Sequence, residues 1–175
     1  GFAPITKSVS DAAFTLVAPT SNSAGAFQYI SSNPAVAVVN GSTVTLTGIG
    51  TASLIAIQQA DGIYNAGSIS TALTVLQTLP AFSYTGPNNY LKSAVISPTL
   101  APSSTGGAVV SYSISPSLLP RGVAFNTTTG VFSGTPTANK SATTYVVTGT
   151  NTGGSSTANV TIAIIDAAPS GLSYT

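Results

Sequence analysis

Short runs of alternating apolar and polar residues, broken every few positions by Gly, Pro or Asn, fill this chain. The clearest lies between positions 122 and 133. Val123 and Phe125 share a face in a first run, 122–126, and Val131 and Phe132 supply the apolar bulk of a second, 130–133. Thr127-Thr128-Thr129 joins them, and Leu119-Pro120-Arg121-Gly122 and Gly134-Thr135-Pro136 bound them. Period-two alternation with such punctuation predicts strand, turn, strand. No stretch of a dozen residues repeats at helical period, so no helix is expected.

The same reading extends along the chain. Residues 12–18 and 26–31 predict strands, the second with Phe27 and Tyr29 on one face. Ser31-Ser32-Asn33-Pro34 turns, because Pro34 fixes its own φ and restricts Asn33. Runs at 36–39 and 43–47 flank Asn40-Gly41, a strong hairpin signal. Val44 and Leu46 then face one way and Thr43, Thr45 and Thr47 the other. Gly48-Ile49-Gly50 leads into a strand at 51–59 carrying Leu54, Ile55 and Ile57, and a loop at 60–67 precedes a strand at 69–76. Thr78-Leu79-Pro80 is a boundary short enough to predict semi-rigid coupling. Beyond it 82–85 and 90–96 predict strands, 98–107 a turn-rich connection, and 109–115 a strand with Val110, Tyr112 and Ile114 in phase. Runs at 144–150 and 157–166 form a hairpin around Asn151-Thr152-Gly153-Gly154. The expected architecture is all-β, with two tandem β-sandwich domains at 1–77 and 78–166.

Two stretches resemble known families. Leu119, Pro120, Gly122, Phe125, Thr129, Gly130, Gly134, Thr135 and Pro136 fit the signature of the putative-Ig repeats of large bacterial surface proteins. In the first half, Asn33, Pro34, Val36, Val39, Gly41, Val44, Gly48, Gly50 and Thr51, with the hairpin at Asn40 and the closing Leu73-Thr74-Val75, resemble the bacterial Ig-like group-2 repeat. The loop at 58–68, carrying Asp61, Tyr64 and Asn65, is longer than that pattern. Ala81-Phe82-Ser83-Tyr84-Thr85 recurs as Gly171-Leu172-Ser173-Tyr174-Thr175, 90 residues on (81 to 171). That offset is close to the ~100 residues of one Ig-type sandwich, so 167–175 reads as a linker and the start of a further repeat.

Composition narrows the chemistry. Of 175 residues 43% are hydrophobic, enough for packed cores, yet only 4% are charged against about a quarter in ordinary domains. Net charge is +1, which leaves no electrostatic footprint for nucleic acid or an anionic membrane. Cysteine is absent, so no disulfide framework exists. No apolar run reaches the length of a membrane span, and residues 1–7 lack the pattern of a signal peptide.

Without His, Cys or Glu, few groups could serve acid–base or covalent catalysis. Asp11 and Asp61 read as solvated turn residues rather than a carboxylate pair. Lys92 and Ser93, as neighbours in a strand, would point apart. Resemblance to bacterial Ig-like domains raises a Lys–Asn or Lys–Asp isopeptide from Lys7, Lys92 or Lys140, with Asp166 at the end of the last strand of the second domain, but the usual promoting Glu is missing. No metal motif is present, and no cofactor is expected. Tyr84 and Tyr112 read as core, leaving Tyr64, beside Asp61 and Asn65, as the best exposed contact residue. The ladder Thr43/Thr45/Thr47 reads as ordinary solvent-facing strand surface, and the sequons at Asn40, Asn126, Asn139 and Asn159 as turn chemistry.

The expectation is a non-enzymatic, extracellular spacer in a repetitive bacterial adhesin, its partners the neighbouring Ig-like repeats. The alternatives are a module binding a surface glycan or host protein through exposed loops, and an accessory repeat of a secreted hydrolase or phage tail fibre.

Overall fold

The computed structural model describes residues 2–169, and the chain divides into two compact units between Thr78 and Leu79. Among the described residues every regular element is a strand, so the all-β expectation holds. The expected repeat start at Gly171-Leu172-Ser173-Tyr174-Thr175 lies outside the described residues.

The first unit contains β1 (Ile5–Ser8), β2 (Phe14–Thr15), β3 (Phe27–Ser31), β4 (Ala37–Asn40), β5 (Thr43–Leu46), β6 (Gly50–Gln58) and β7 (Gly67–Leu76). They form two sheets, β1-β7-β6-β3 and β2-β5-β4. Alternation decides what is inside: Ala52 and Leu54 of β6 and Leu73 and Val75 of β7 meet Ala37, Val44 and Leu16 in one core. Ile55 and Ile57, predicted in the same strand as Leu54, lie half-buried on the opposite face of β6. Phe27 and Tyr29 do share a face, their rings stacked with centroids 6.2 Å apart.

Two details differ from expectation. The strand at 12–18 contracts to Phe14–Thr15, since pairing with β5 covers two positions and Val17 projects into solvent. The β4–β5 register pairs Asn40 with Thr43, so the two-residue loop is Gly41-Ser42 rather than Asn40-Gly41. Gly41 takes φ 60° and Ser42 is not left-handed, which is the demand of a II′ turn with glycine first.

The second unit contains β8 (Phe82–Ser83), β9 (Asn88–Leu91), β10 (Ser103–Ser104), β11 (Ser111–Ser115), β12 (Val123–Phe125), β13 (Phe132–Gly134), β14 (Lys140–Asn151) and β15 (Gly154–Ile165). The large sheet runs β11-β14-β15-β9, and the pairs β12-β13 and β8-β10 complete the unit. Its core holds Tyr145, Phe132, Val147 and Ile162, all fully buried. Phe125 and Tyr84 pack on Phe132 at 4.7 and 5.7 Å, and Phe82 meets Tyr112 edge-on at 5.4 Å. Such ring pairs add to the gain from burying their area.

Here the strand expected at 90–96 ends at Leu91, because Ser93 adopts φ 64°. Lys92 and Ser93 therefore occupy a turn, not a strand. Ile96 is nevertheless buried: its amide donates to the Gly134 carbonyl at 2.9 Å. Leu100 and Phe132 exchange backbone bonds of 3.1 and 2.9 Å, so the irregular segment lines β13. Val110, expected in phase with Tyr112, is 64% exposed, and Val109 packs on the core instead. The chain bends at Val110 before the ladder starts at Ser111. The β14–β15 hairpin outruns expectation at 12 residues per strand and closes through Thr152-Gly153. Main-chain pairing continues through Ser155 and Ser156, where apolar patterning gives no cue.

The β12–β13 hairpin accounts for its own sequence. A Cβ on Gly122 would strike the Thr135 carbonyl oxygen, and one on Gly134 would strike the Gly122 carbonyl oxygen. Their φ values are 85° and 120°. Gly130, at φ 71°, leaves room for the Tyr84 hydroxyl, which donates to the Gly130 carbonyl at 2.5 Å. Asn126 accepts the Thr128 and Thr129 amides at 2.8 and 3.0 Å, closing the threonine turn. Pro120 and Pro136 are buried, and Leu119 packs against the core.

Candidate functional site

The loop between β6 and β7 is organised by one carboxylate. Asp61 Oδ1 accepts the amides of Ile63 at 3.0 Å and Tyr64 at 2.8 Å, curling the loop on itself through Gly62 at φ 87°. Asp61 Oδ2 accepts the Ser23 hydroxyl and the Ala24 amide, each at 2.8 Å. These bonds, led by that from the Tyr64 amide, hold the carboxyl well below the usual carboxylate range. Gln58 adds a second tie. Its Nε2 donates to the carbonyls of Ser23 and Gly25, and its Oε1 accepts the Ser21 hydroxyl at 2.6 Å.

What the loop presents is therefore apolar and held in place. Ile63 is 84% exposed and Tyr64 42% exposed, while Asn65 is exposed beside them. An open cleft of about 230 Å³ lies nearby, lined by Pro19, Ser21, Phe27, Gln58 and Ile69. Of the three contact residues expected here, Tyr64 and Asn65 face solvent and Asp61 is the anchor beneath them. Ser23 and Gln58 were not singled out from sequence; the only local signal was a serine-rich turn opposite a strand ending in glutamine.

Asp11, Lys7, Lys92 and Asp166 are engaged elsewhere, each close to its own element. Asp11 accepts the Ser8 amide at 3.1 Å within its own turn. Lys7 lies 5.3 Å from the centroid of the Phe14 ring. Lys92 forms an ion pair with Asp166, which also accepts Asn139 Nδ2 at 2.5 Å. This trio has the residue types of an isopeptide site, but its Lys and Asp side chains are 38% and 58% exposed. The hydrogen bond from Lys92 and that from Asn139 lower the Asp166 pKa, so the carboxyl is ionised and cannot act as a neutral acid. It is a solvated ion pair.

Four tyrosines of the second unit, Tyr84, Tyr90, Tyr112 and Tyr145, have hydroxyls pushed upward in pKa, chiefly by burial. They belong to the aromatic core, as expected for Tyr84 and Tyr112. No group of three metal-ligating side chains occurs among the described residues. No helix there is long and apolar enough to cross a membrane.

Residues 71–165 match the family described as Putative Ig domain. The match begins within β7 and ends with β15. No curated protein sequence matches the chain. Among solved structures, extracellular domains 3–5 of Drosophila OTK align with a TM-score of 0.54 and 12% identity, over 93% of this chain and 59% of that one. The insect immune protein hemolin aligns with a TM-score of 0.52 and 18% identity, over 93% of this chain and 45% of that one. The chain thus spans less than two thirds of either relative. Likeness at such identity establishes an Ig-like β-sandwich fold and nothing about activity.

Proposed function

Because the chain belongs to the putative Ig domain family, we propose that it is a non-enzymatic spacer of a large bacterial cell-surface adhesin, holding a binding tip away from the cell. On this reading residues 1–77 form a group-2 Ig-like domain, 78–166 a putative-Ig domain, and 167–175 lead into the next repeat. The observation that supports it most is the fate of the ionisable groups. Asp11 is spent on its own turn, Asp61 on tying two loops together, Asp166 on Lys92, and the perturbed tyrosines on the core. A spacer needs rigid, closed units and no reactive group, and its neutral surface keeps its reach independent of salt.

Small-angle scattering of the 175-residue chain tests this directly. A spacer gives a maximum dimension well beyond one sandwich, unchanged between low and high salt. A compact particle, or turnover of any substrate by the chain, overturns the reading.

A second reading rests on the exposed pair Ile63 and Tyr64, carried on a loop already tied down by Asp61. Such a loop would bind a surface glycan or protein with little ordering cost. Hemolin, described with implications for homophilic adhesion, has the same type of fold. A glycan array and a pull-down, each repeated with Tyr64→Ala, separate the readings, since a spacer binds nothing in either.

A further inference from the structure

The outer face of the large sheet in the second unit is a lattice of neutral hydroxyls. Ser111, Thr150 and Ser155 stand side by side on β11, β14 and β15, and Ser113, Thr148 and Thr157 form the next row. Ser115, Val146 and Asn159 follow, and Thr144 pairs with Thr161 beyond them, their hydroxyl oxygens 2.9 Å apart. Only Val146 lacks a hydroxyl or amide, and no position is charged. Apart from the Thr144–Thr161 bond, none of these side chains bonds to another protein group among the described residues.

We propose that this face binds ice, the partner being the uncharged hydrogen-bonding lattice of crystalline water. Three observations carry the proposal. The first is complementarity: a charged head group keeps its own tightly held water, whereas a hydroxyl both donates and accepts and can stand in for a lattice water. The second is regularity, since neighbours across strands lie ~4.8 Å apart and successive rows ~6.8 Å apart, a repeat in two dimensions. The third is rigidity. β14 and β15 pair over nearly their whole length, and Tyr145, Val147 and Ile162 clamp the inner face, so little freedom is lost on contact. No aromatic ring stands in these rows, which disfavours a sugar as occupant. The corresponding face of the first unit begins the same way, with Thr6, Thr74 and Thr51 in one row, but Ile55 and Ile57 interrupt it. The inference is independent of the spacer reading, because the face lies on the flank of its own unit.

The test freezes a dilute solution of the full 175-residue chain slowly onto a chilled surface and compares its concentration in ice and liquid with that of a non-binding carrier protein. The expected result is several-fold enrichment in ice, with ice recrystallisation inhibited. T148K/T157K, which places two like charges side by side in one row, should fall to the carrier's level while still folded, its melting point lowered by their repulsion. T128K, on an exposed turn, should keep the enrichment. If the lysine pair impairs folding, T148Y/T157Y disrupts the lattice with strand-favouring side chains. Exclusion of the unsubstituted chain from ice, or enrichment that survives a folded double variant, overturns the proposal. Binding to cellulose or chitin without ice enrichment also overturns it, and assigns the face to a polysaccharide.

Discussion

The hydroxyl of Ser23 donates to Asp61 Oδ2 at 2.8 Å, joining two loops that lie 38 residues apart in the chain. The same carboxylate accepts three backbone amides, so its ionised form is written into the shape of this end of the first unit.

Asp61→Ala should therefore loosen both loops together. Amide hydrogen exchange is expected to quicken at Ala24, Ile63 and Tyr64 and to stay unchanged at Leu54 and Leu73. The pH dependence has a definite sign. The folded pKa lies below the ordinary value of 3.8, so the contribution to stability is complete above that value and is lost as pH falls beneath it. Protection of the three amides, taken relative to the intrinsic exchange rate at each pH, should fall in the parent chain as pH drops below 3.8 and stay constant in Asp61→Ala.

Alkali should act on the second unit with the opposite sense. Burial raises the pKa of Tyr84, Tyr90, Tyr112 and Tyr145. The folded state thus keeps phenolic protons that the unfolded chain releases near pH 10, and stability falls as pH climbs past that point. Tyr84→Phe removes one such group and its bond to Gly130. It is expected to cost about 1 kcal/mol at neutral pH and to flatten the alkaline decline, as followed by tyrosinate absorbance and chemical denaturation.

Glycine substitutions should separate two kinds of demand. Gly41 needs only its left-handed backbone, since nothing lies within 4 Å of an added Cβ. Gly41→Ala should cost ~1–2 kcal/mol, much of it recovered in Gly41→Asn. Gly122 needs both the backbone conformation and the space filled by Thr135. Gly122→Ala should cost clearly more, and Gly122→Asn should recover nothing; urea denaturation midpoints decide both.

Phe132 is fully buried between Phe125, Tyr84 and the Leu100 bridge. Phe132→Ala should destabilise the second unit by ~3–5 kcal/mol, and Phe132→Leu by distinctly less. Equal losses from the two variants would argue that the site collapses freely, contrary to the close ring contacts.

Local turn chemistry carried most of what could be read in advance. Gly41, Gly122, Gly130 and Pro34 mark bends because the backbone itself requires them there. Features that depend on distant partners were not legible. Nothing in the run 12–18 tells that β5 pairs with only two of its residues, nor in 90–96 that Ser93 turns the chain while Ile96 and Leu100 follow β13. Asp61 announces a turn through the glycine after it, but its bonds to Ser23 and Ala24 depend on a loop supplied by an earlier part of the chain.

Ile5–Ser8 runs parallel to Leu73–Leu76, so the first strand of the first unit lies in register beside its last. Tension entering before β1 and leaving after β7 would draw the two strands in opposite directions along their common axis. The ladder is then loaded in shear, and its bonds must fail nearly together rather than one at a time. A module built this way resists stretching more strongly than one whose terminal strands peel apart bond by bond.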